Sequence, residues 1–204
     1  MAESERWMPS LVARFESCRD ELEASGSVDL AAFVAACETL PKVFAFLGSN
    51  VATSFIFGFA ETDLTTKVAH LKALCSSSDS GLTIEAMIEA DVGRGRATAG
   101  DSGSRTCHRV TNAVKFVNRF MVNLLATDSD SIRLPAHNAI MDSIAYYLEA
   151  AKKTAINMAL YLLPSRSKFL KRVGETGESL ARALPRIGID PHRCTAVHPP
   201  QCAD

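Results

Sequence analysis

The sequence predicts an all-α protein. Three observations carry that prediction. Apolar residues recur at spacings of three and four along nearly the whole chain, no run alternates convincingly with period two, and polar or glycine- and proline-bearing breaks separate segments of helical length. The first helix is expected over residues 4–24 and ends at Ser25-Gly26-Ser27. The second covers 28–46 and the third 50–75, closed by the polar turn from Ser76 to Ser80. A helix over 82–92 runs into a loop of glycine and small residues from Gly93 to Gly103. The pattern resumes over 104–126, breaks from Asp128 to Pro135, continues over 136–162, and restarts over 165–184 after Pro164. Beyond Gly188 the composition turns to proline and histidine. The economical division is one helical domain over 1–188 and a poorly ordered tail over 189–204.

The chain has 204 residues, 47% hydrophobic, with a formal net charge of −1. That length fits one large domain with apolar material to spare for a cavity wall. The near-neutral balance argues against broad nucleic-acid binding. No window approaches 18 consecutive apolar residues, so no bilayer span is expected. The N-terminal stretch MAESERWMPS carries acids and no apolar core, unlike a secretory signal. The cysteines at 18, 37, 75 and 107 lie inside helical patterns and read as free thiols in a reducing compartment, here the cytoplasm. The tail adds His192, Cys194, His198 and Cys202, but their spacing fits no common zinc pattern, so no metal or other cofactor is expected.

Two sets of charges are the chemical features of interest. On a helical projection of residues 50–75 with Asp63 at zero, Ile56 and Leu74 fall at roughly 20°, Lys67 at 40°, Ala60 at 60°, Leu71 at 80°, Leu64 at 100°, Phe57 at 120° and Val68 at 140°. Asp63 and Lys67 are therefore expected on the apolar stripe, where a charge needs a partner. A plain acid–base pair one turn apart, stabilising the helix by about 0.2–0.5 kcal/mol, is the ordinary alternative. In residues 104–126, Val110, Val117, Phe120, Met121 and Leu124 form an apolar arc bordered by Arg105 and Arg109, and Lys115 and Arg119 continue the basic side. No Asp or Glu occurs from Ser102 to Thr127. The counterion of this helix is thus either an acid from another helix or a bound anion, for which arginine's planar fork is suited.

Asp63 and Lys67 in FAETDLTTK, Arg105 and Arg109 in SRTCHR, and the proline-interrupted LYLLPSRSKFL at 160–170 together resemble the glycolipid transfer protein superfamily. The resemblance runs from about residue 40 to 172. The Lys, Arg, Arg set resembles its ceramide-1-phosphate transfer members, including the plant accelerated-cell-death type, and differs from the Asn and Trp of glycolipid binders. It implies a two-layer helical sandwich enclosing an apolar lipid pocket. Asp63 would accept hydrogen bonds from the ceramide amide and sphingoid hydroxyl, and Lys67, Arg105 and Arg109 would hold the phosphate. One stretch departs from the pattern. Where the family has a motif resembling A-x-Y-H-x-W, this chain has AYYLEA, with Leu148 in place of the His and Ala150 in place of the Trp. That replacement leaves two readings. One is a transfer protein for phosphorylated sphingolipid. The other is a lipid sensor or protein-interaction module of the same fold, with transfer weakened or lost. Tyr147 could supply a hydroxyl only if the helix were rotated.

Each buried methylene favours an apolar site by about 0.8 kcal/mol. Chains passing between two apolar phases gain little selectivity, so lipid choice must rest on the charged residues. The expected chain-pocket walls are Phe55, Phe57, Phe59, Phe116, Phe120, Met121, Ile156, Met158, Leu160 and Leu162, each of which equally suits plain core packing. Arg94, Arg96, Lys152 and Lys153 are surface cations able to attract anionic headgroups or simply to solvate the fold. The resemblance implies a monomer working peripherally at membranes, without catalysis and with any protein partner unspecified. Cys107 beside His108 suggests a nucleophile and base, but adjacent helical residues point about 100° apart.

Overall fold

The computed structural model describes residues 6–48, 50–77 and 81–183; the tail with His192, Cys194, His198 and Cys202 lies outside the described residues. These form ten α-helices, and the described residues contain no strand, only isolated bridges between Asp29 and Thr83 and between Ser131 and Ser165. In chain order the helices are α1 (Trp7–Ser25), α2 (Leu30–Cys37), α3 (Lys42–Leu47), α4 (Val51–Ser77), α5 (Ile84–Gly93), α6 (Gly103–Leu125), α7 (Arg133–Ser143), α8 (Ala150–Leu160), α9 (Arg166–Val173) and α10 (Gly177–Ala183).

The boundaries have local causes. Asp29, Thr83, Ser102 and Ser165 cap α2, α5, α6 and α9 by accepting from the backbone N–H three residues on. Gly26 ends α1 at φ +74°, donating to Leu22 O at 2.9 Å. Three expected helices are divided. The 28–46 segment breaks into α2 and α3 at a turn that contains Pro41, whose missing N–H and ring discourage helix in the preceding residue. The 165–184 segment breaks at Gly174, where Glu175 N–H reaches Leu170 O at 3.0 Å and Gly174 N–H reaches Lys171 O at 3.3 Å, a Schellman closure. The 136–162 segment becomes α7, a 3-10 turn at Ala145–Tyr147, and α8, with Leu148 extended between them.

The helices pack about α4 and α6. Helix α4 lies against α2, α3, α6 and α8; α6 lies against α5, α7 and α10. Phe116, Phe120, Phe169, Met121 and Leu124 are fully enclosed between them, each favouring burial by about 1.5–3 kcal/mol. Phe116 stacks on Phe44 at 5.9 Å and on Phe120 at 6.1 Å, and Phe169 meets Phe120 edge-on at 5.2 Å. The window Leu30–Leu47 has a mean hydropathy of 1.7, apolar enough by composition to cross a bilayer. It is two short helices of 8 and 6 residues, so its apolar character serves the core of this structure.

Candidate functional site

Two contacts set the register of α4 against α6. His70 Nδ1 and Thr106 Oγ1 are 3.0 Å apart, and since the Thr106 hydroxyl donates to Ser102 O, the imidazole donates to Thr106. One turn further along α4, Leu74 lies beside Gly103. As α4 advances, α6 recedes, so the helices are antiparallel. Extending that register backwards sets Lys67 opposite Arg109 and Asp63 opposite Ala113. The N-terminus of α6 is tied down independently, because Asp91 of α5 accepts from both Ser104 N–H and Ser104 Oγ at 2.8 Å. Those bonds, the backbone one foremost, hold the Asp91 carboxyl below its ordinary range.

The buried stripe of α4 is narrower than the projection implies. Phe57, Leu64, Val68 and Leu71 are buried, whereas Ile56, Ala60 and Leu74 are half-buried and form its border. Lys67 sits on this border with its side chain 18% exposed, and Asp63 stands outside it at 67%. The expectation of Asp63 on the buried stripe is therefore corrected: it lies about 110° from the stripe's centre. The Lys67 ammonium donates to the Asp63 carboxylate one turn back.

Across the groove, Arg109 is half-buried and its guanidinium lies over the Tyr147 ring, 5.2 Å from the centroid. Arg105 is exposed and donates to Thr98 O at 3.2 Å. Among the described residues, no carboxylate lies within salt-bridge distance of either arginine. Of the expected surface cations, Arg96 is paired with Asp101 at 2.6 Å and Lys152 with Glu149 at 3.2 Å.

The 3-10 turn brings in residues that the sequence pattern left aside. Tyr146 Oη lies 2.6 Å from His108 Nε2 and 2.7 Å from Asn112 Nδ2, fastening the turn to α6. Tyr147 packs edge-on against Tyr146 at 4.9 Å, and burial pushes its hydroxyl well above the ordinary phenol range. The carboxylate of Asp63 pushes the same way, and Arg109 opposes it. Tyr147 therefore sits within electrostatic reach of both Asp63 and Arg109. A tyrosine in an apolar run reads as core, so only its contact with Arg109 reveals the association. Leu148 is half-buried against the hydrophobic core and Ala150 is exposed at the start of α8.

The expected apolar wall divides. Phe57, Phe116, Phe120, Met121 and Leu160 are buried, and Ile156 packs against them from a half-buried position. Phe55, Phe59, Met158 and Leu162 are 47–67% exposed and do not line the interior. The reason is angular for α4: Phe55 and Phe59 fall at roughly 280° and 320° on the same projection, away from the buried stripe. They join Val51 in an outward row, with the two rings edge-on at 4.8 Å. Cys107 is buried, and its thiol is pushed up to about 11, chiefly by burial. It is a poor nucleophile, and His108 is committed to Tyr146.

Residues 28–175 match the sequence model of the glycolipid transfer protein family. The chain belongs to that family. It is 28% identical over 154 residues to an accelerated-cell-death 11 homolog of Arabidopsis thaliana, covering 76% of this chain and 63% of that relative's length. It is 26% identical over 149 residues to accelerated cell death 11 of the same plant, covering 72% and 68%. Among solved structures, a mutant of Arabidopsis accelerated-cell-death 11 complexed with ceramide-1-phosphate superposes with a TM-score of 0.79 at 21% identity, covering 91% of both chains. Human ceramide-1-phosphate transfer protein, in complex with the same class of lipid, gives 0.74 at 24%, covering 89% of both. These likenesses show the fold. The all-α architecture is that of the glycolipid transfer proteins. The matched family is that of the glycolipid transfer proteins, and the human neighbour is a ceramide-1-phosphate transfer protein.

Proposed function

We propose that this glycolipid transfer protein family member binds a sphingolipid with a phosphate headgroup, of the ceramide-1-phosphate class, and carries it between membranes. The observation that carries the reading is Arg109, set opposite Lys67 by the register of α4 on α6, with Arg105 one turn before it and no carboxylate within salt-bridge distance of either arginine among the described residues. A phosphate there accepts several charge-assisted hydrogen bonds at once. Asp63, exposed and held by Lys67, is the acceptor for donors on the lipid's amide and hydroxyl. The relatives crystallised with ceramide-1-phosphate support the same ligand class. Phe57, Phe116, Phe120, Met121 and Leu160 are the apolar surface for the chains. Because those rings are stacked on one another, chain entry must separate them, and buried methylenes offset the cost at about 0.8 kcal/mol each. The reading implies a monomer working peripherally at membranes from the cytoplasm.

Leu148 and Ala150 favour a second reading, selective binding without movement, because neither side chain can donate to a ligand. A vesicle-to-vesicle transfer assay separates the two. Labelled ceramide-1-phosphate moves and labelled galactosylceramide does not under the first reading. Under the second, the phosphorylated lipid is bound selectively and stays. Equal movement of both lipids removes the phosphate assignment altogether.

A further inference from the structure

We infer that the Tyr147 hydroxyl is a hydrogen-bond donor to the bound lipid, reaching an acceptor oxygen at its polar end. The inference deepens the proposed function and rests on it. Its grounds are geometric. The ring of Tyr147 is fixed on both sides, by the Arg109 guanidinium at 5.2 Å and by Tyr146 at 4.9 Å. Tyr146 is in turn anchored through His108 and Asn112 at 2.6 and 2.7 Å, so the 3-10 turn is held to the helix that bears the arginines. Tyr146 thus spends its hydroxyl inside the protein. Tyr147 does not: among the described residues, no group hydrogen-bonds its hydroxyl, although the residue is half-buried. A half-buried ring whose hydroxyl has no internal partner leaves that O–H free to donate to a ligand acceptor.

The local electrostatics fit a donor. Burial, with the Asp63 carboxylate adding to it, keeps this phenol protonated across the physiological range, so it offers its proton rather than a negative charge. A tyrosinate beside a phosphate would repel it; a neutral O–H complements it. The adjacent residue cannot share this work, because Leu148 has no donor and turns to the core. The helix rotation that the sequence seemed to require is supplied by the 3-10 turn between α7 and α8.

Two oxygens of a phosphorylated sphingolipid could accept this bond, a phosphate oxygen or the amide carbonyl, and the experiment separates them. Tyr147→Phe keeps the ring over Arg109 and removes only the hydroxyl. Binding is measured with phosphatidylcholine vesicles doped with ceramide-1-phosphate or with sphingosine-1-phosphate, which has no amide carbonyl, alongside thermal melting of the free protein. We expect about tenfold weaker binding of ceramide-1-phosphate, the scale of one neutral hydrogen bond, with no drop in melting temperature. A loss confined to ceramide-1-phosphate identifies the carbonyl; an equal loss on both lipids identifies the phosphate. Unchanged binding of both lipids by Tyr147→Phe overturns the inference and leaves the proposed function standing. A fall in melting temperature together with binding makes the hydroxyl structural and overturns it too. If the wild-type protein binds neither lipid, both readings go.

Discussion

The two arginines are four residues apart, yet the structure makes them unequal, and that inequality is measurable. Arg109 is half-buried between α6 and the 3-10 turn, with its guanidinium over Tyr147; Arg105 is exposed and already donates to Thr98 O. A charge-assisted hydrogen bond in a sheltered site contributes about 1.5–3 kcal/mol. At 1.4 kcal/mol per factor of ten, Arg109→Leu should weaken ceramide-1-phosphate binding by about 12- to 150-fold. With the cation–π contact counted as equal in the free and bound protein, its loss, about 0.5–2 kcal/mol, should appear in stability and not in affinity. For Arg105→Leu the screened interaction should change affinity by about fivefold or less. Salt sharpens the contrast, because the Debye length shrinks from about 8 Å at 0.15 M to about 3 Å at 1 M. The Arg105 effect should fade at high salt while the Arg109 effect persists. Equilibrium binding to doped vesicles at both salt concentrations checks this. An Arg105→Leu loss as large as that of Arg109→Leu, or a wild-type affinity in both variants, would refute the reasoning.

Gly103→Ala should destabilise the protein by about 1–3 kcal/mol in urea unfolding, because the new Cβ would meet Met87 Sδ at 2.5 Å and Leu74 Cδ1 at 3.0 Å. The helical propensity gained on replacing glycine, at most about 1 kcal/mol, does not offset an overpacked contact of that kind. Cys107 makes stability fall as pH rises from about 9 to about 11, because the unfolded thiol ionises near 9.0 and the folded one near 11. The folded state retains the proton longer, so this group alters nothing below the lower value. Urea unfolding across that window should show a shallower decline in Cys107→Ala than in wild type; parallel slopes would contradict it.

The helical architecture was legible because the 3.6-residue period survives in sequence without knowledge of any partner. The glycine-rich loop before Gly103 was legible for the same local reason. The break between α7 and α8 was not, since SIAYYLEA offers no glycine or proline, and its 3-10 turn is held by long-range bonds from Tyr146 to His108 and Asn112. The charged residues of the candidate site were visible in the spacing, and their grouping as one site came from the family resemblance. Their inequality was not visible, because the burial of Arg109 depends on Tyr147, 38 positions later. The error over Phe55 and Phe59 has a different origin. Their apolarity suggested an inward role, while the projection that correctly ordered Phe57 and Val68 already put both rings on the opposite side of α4.

The register of α4 on α6 links these parts into one argument about selectivity. The stacked interior of Phe44, Phe116 and Phe120 is apolar without direction, so it offers chains a phase much like the one they leave. Discrimination needs charges at fixed separations, and two helices supply them only if neither slides along the other. Slippage by a full turn, about 5.4 Å, would move Lys67 from Arg109 toward Arg105 or Ala113 and separate the charges that a single phosphate must span. The close approach of Leu74 to Gly103 and the His70–Thr106 bond resist that motion at the end of the helix pair nearest Arg105, while the Asp91–Ser104 bonds hold the same end of α6 to α5. Tyr146, bonded to His108 and Asn112 of α6, fixes the turn that carries Tyr147 to that helix. Under the proposed function, the polar rim would select its headgroup because the packing around it holds its positive groups at one separation, and a headgroup lacking matching negative charge would leave their mutual repulsion uncompensated.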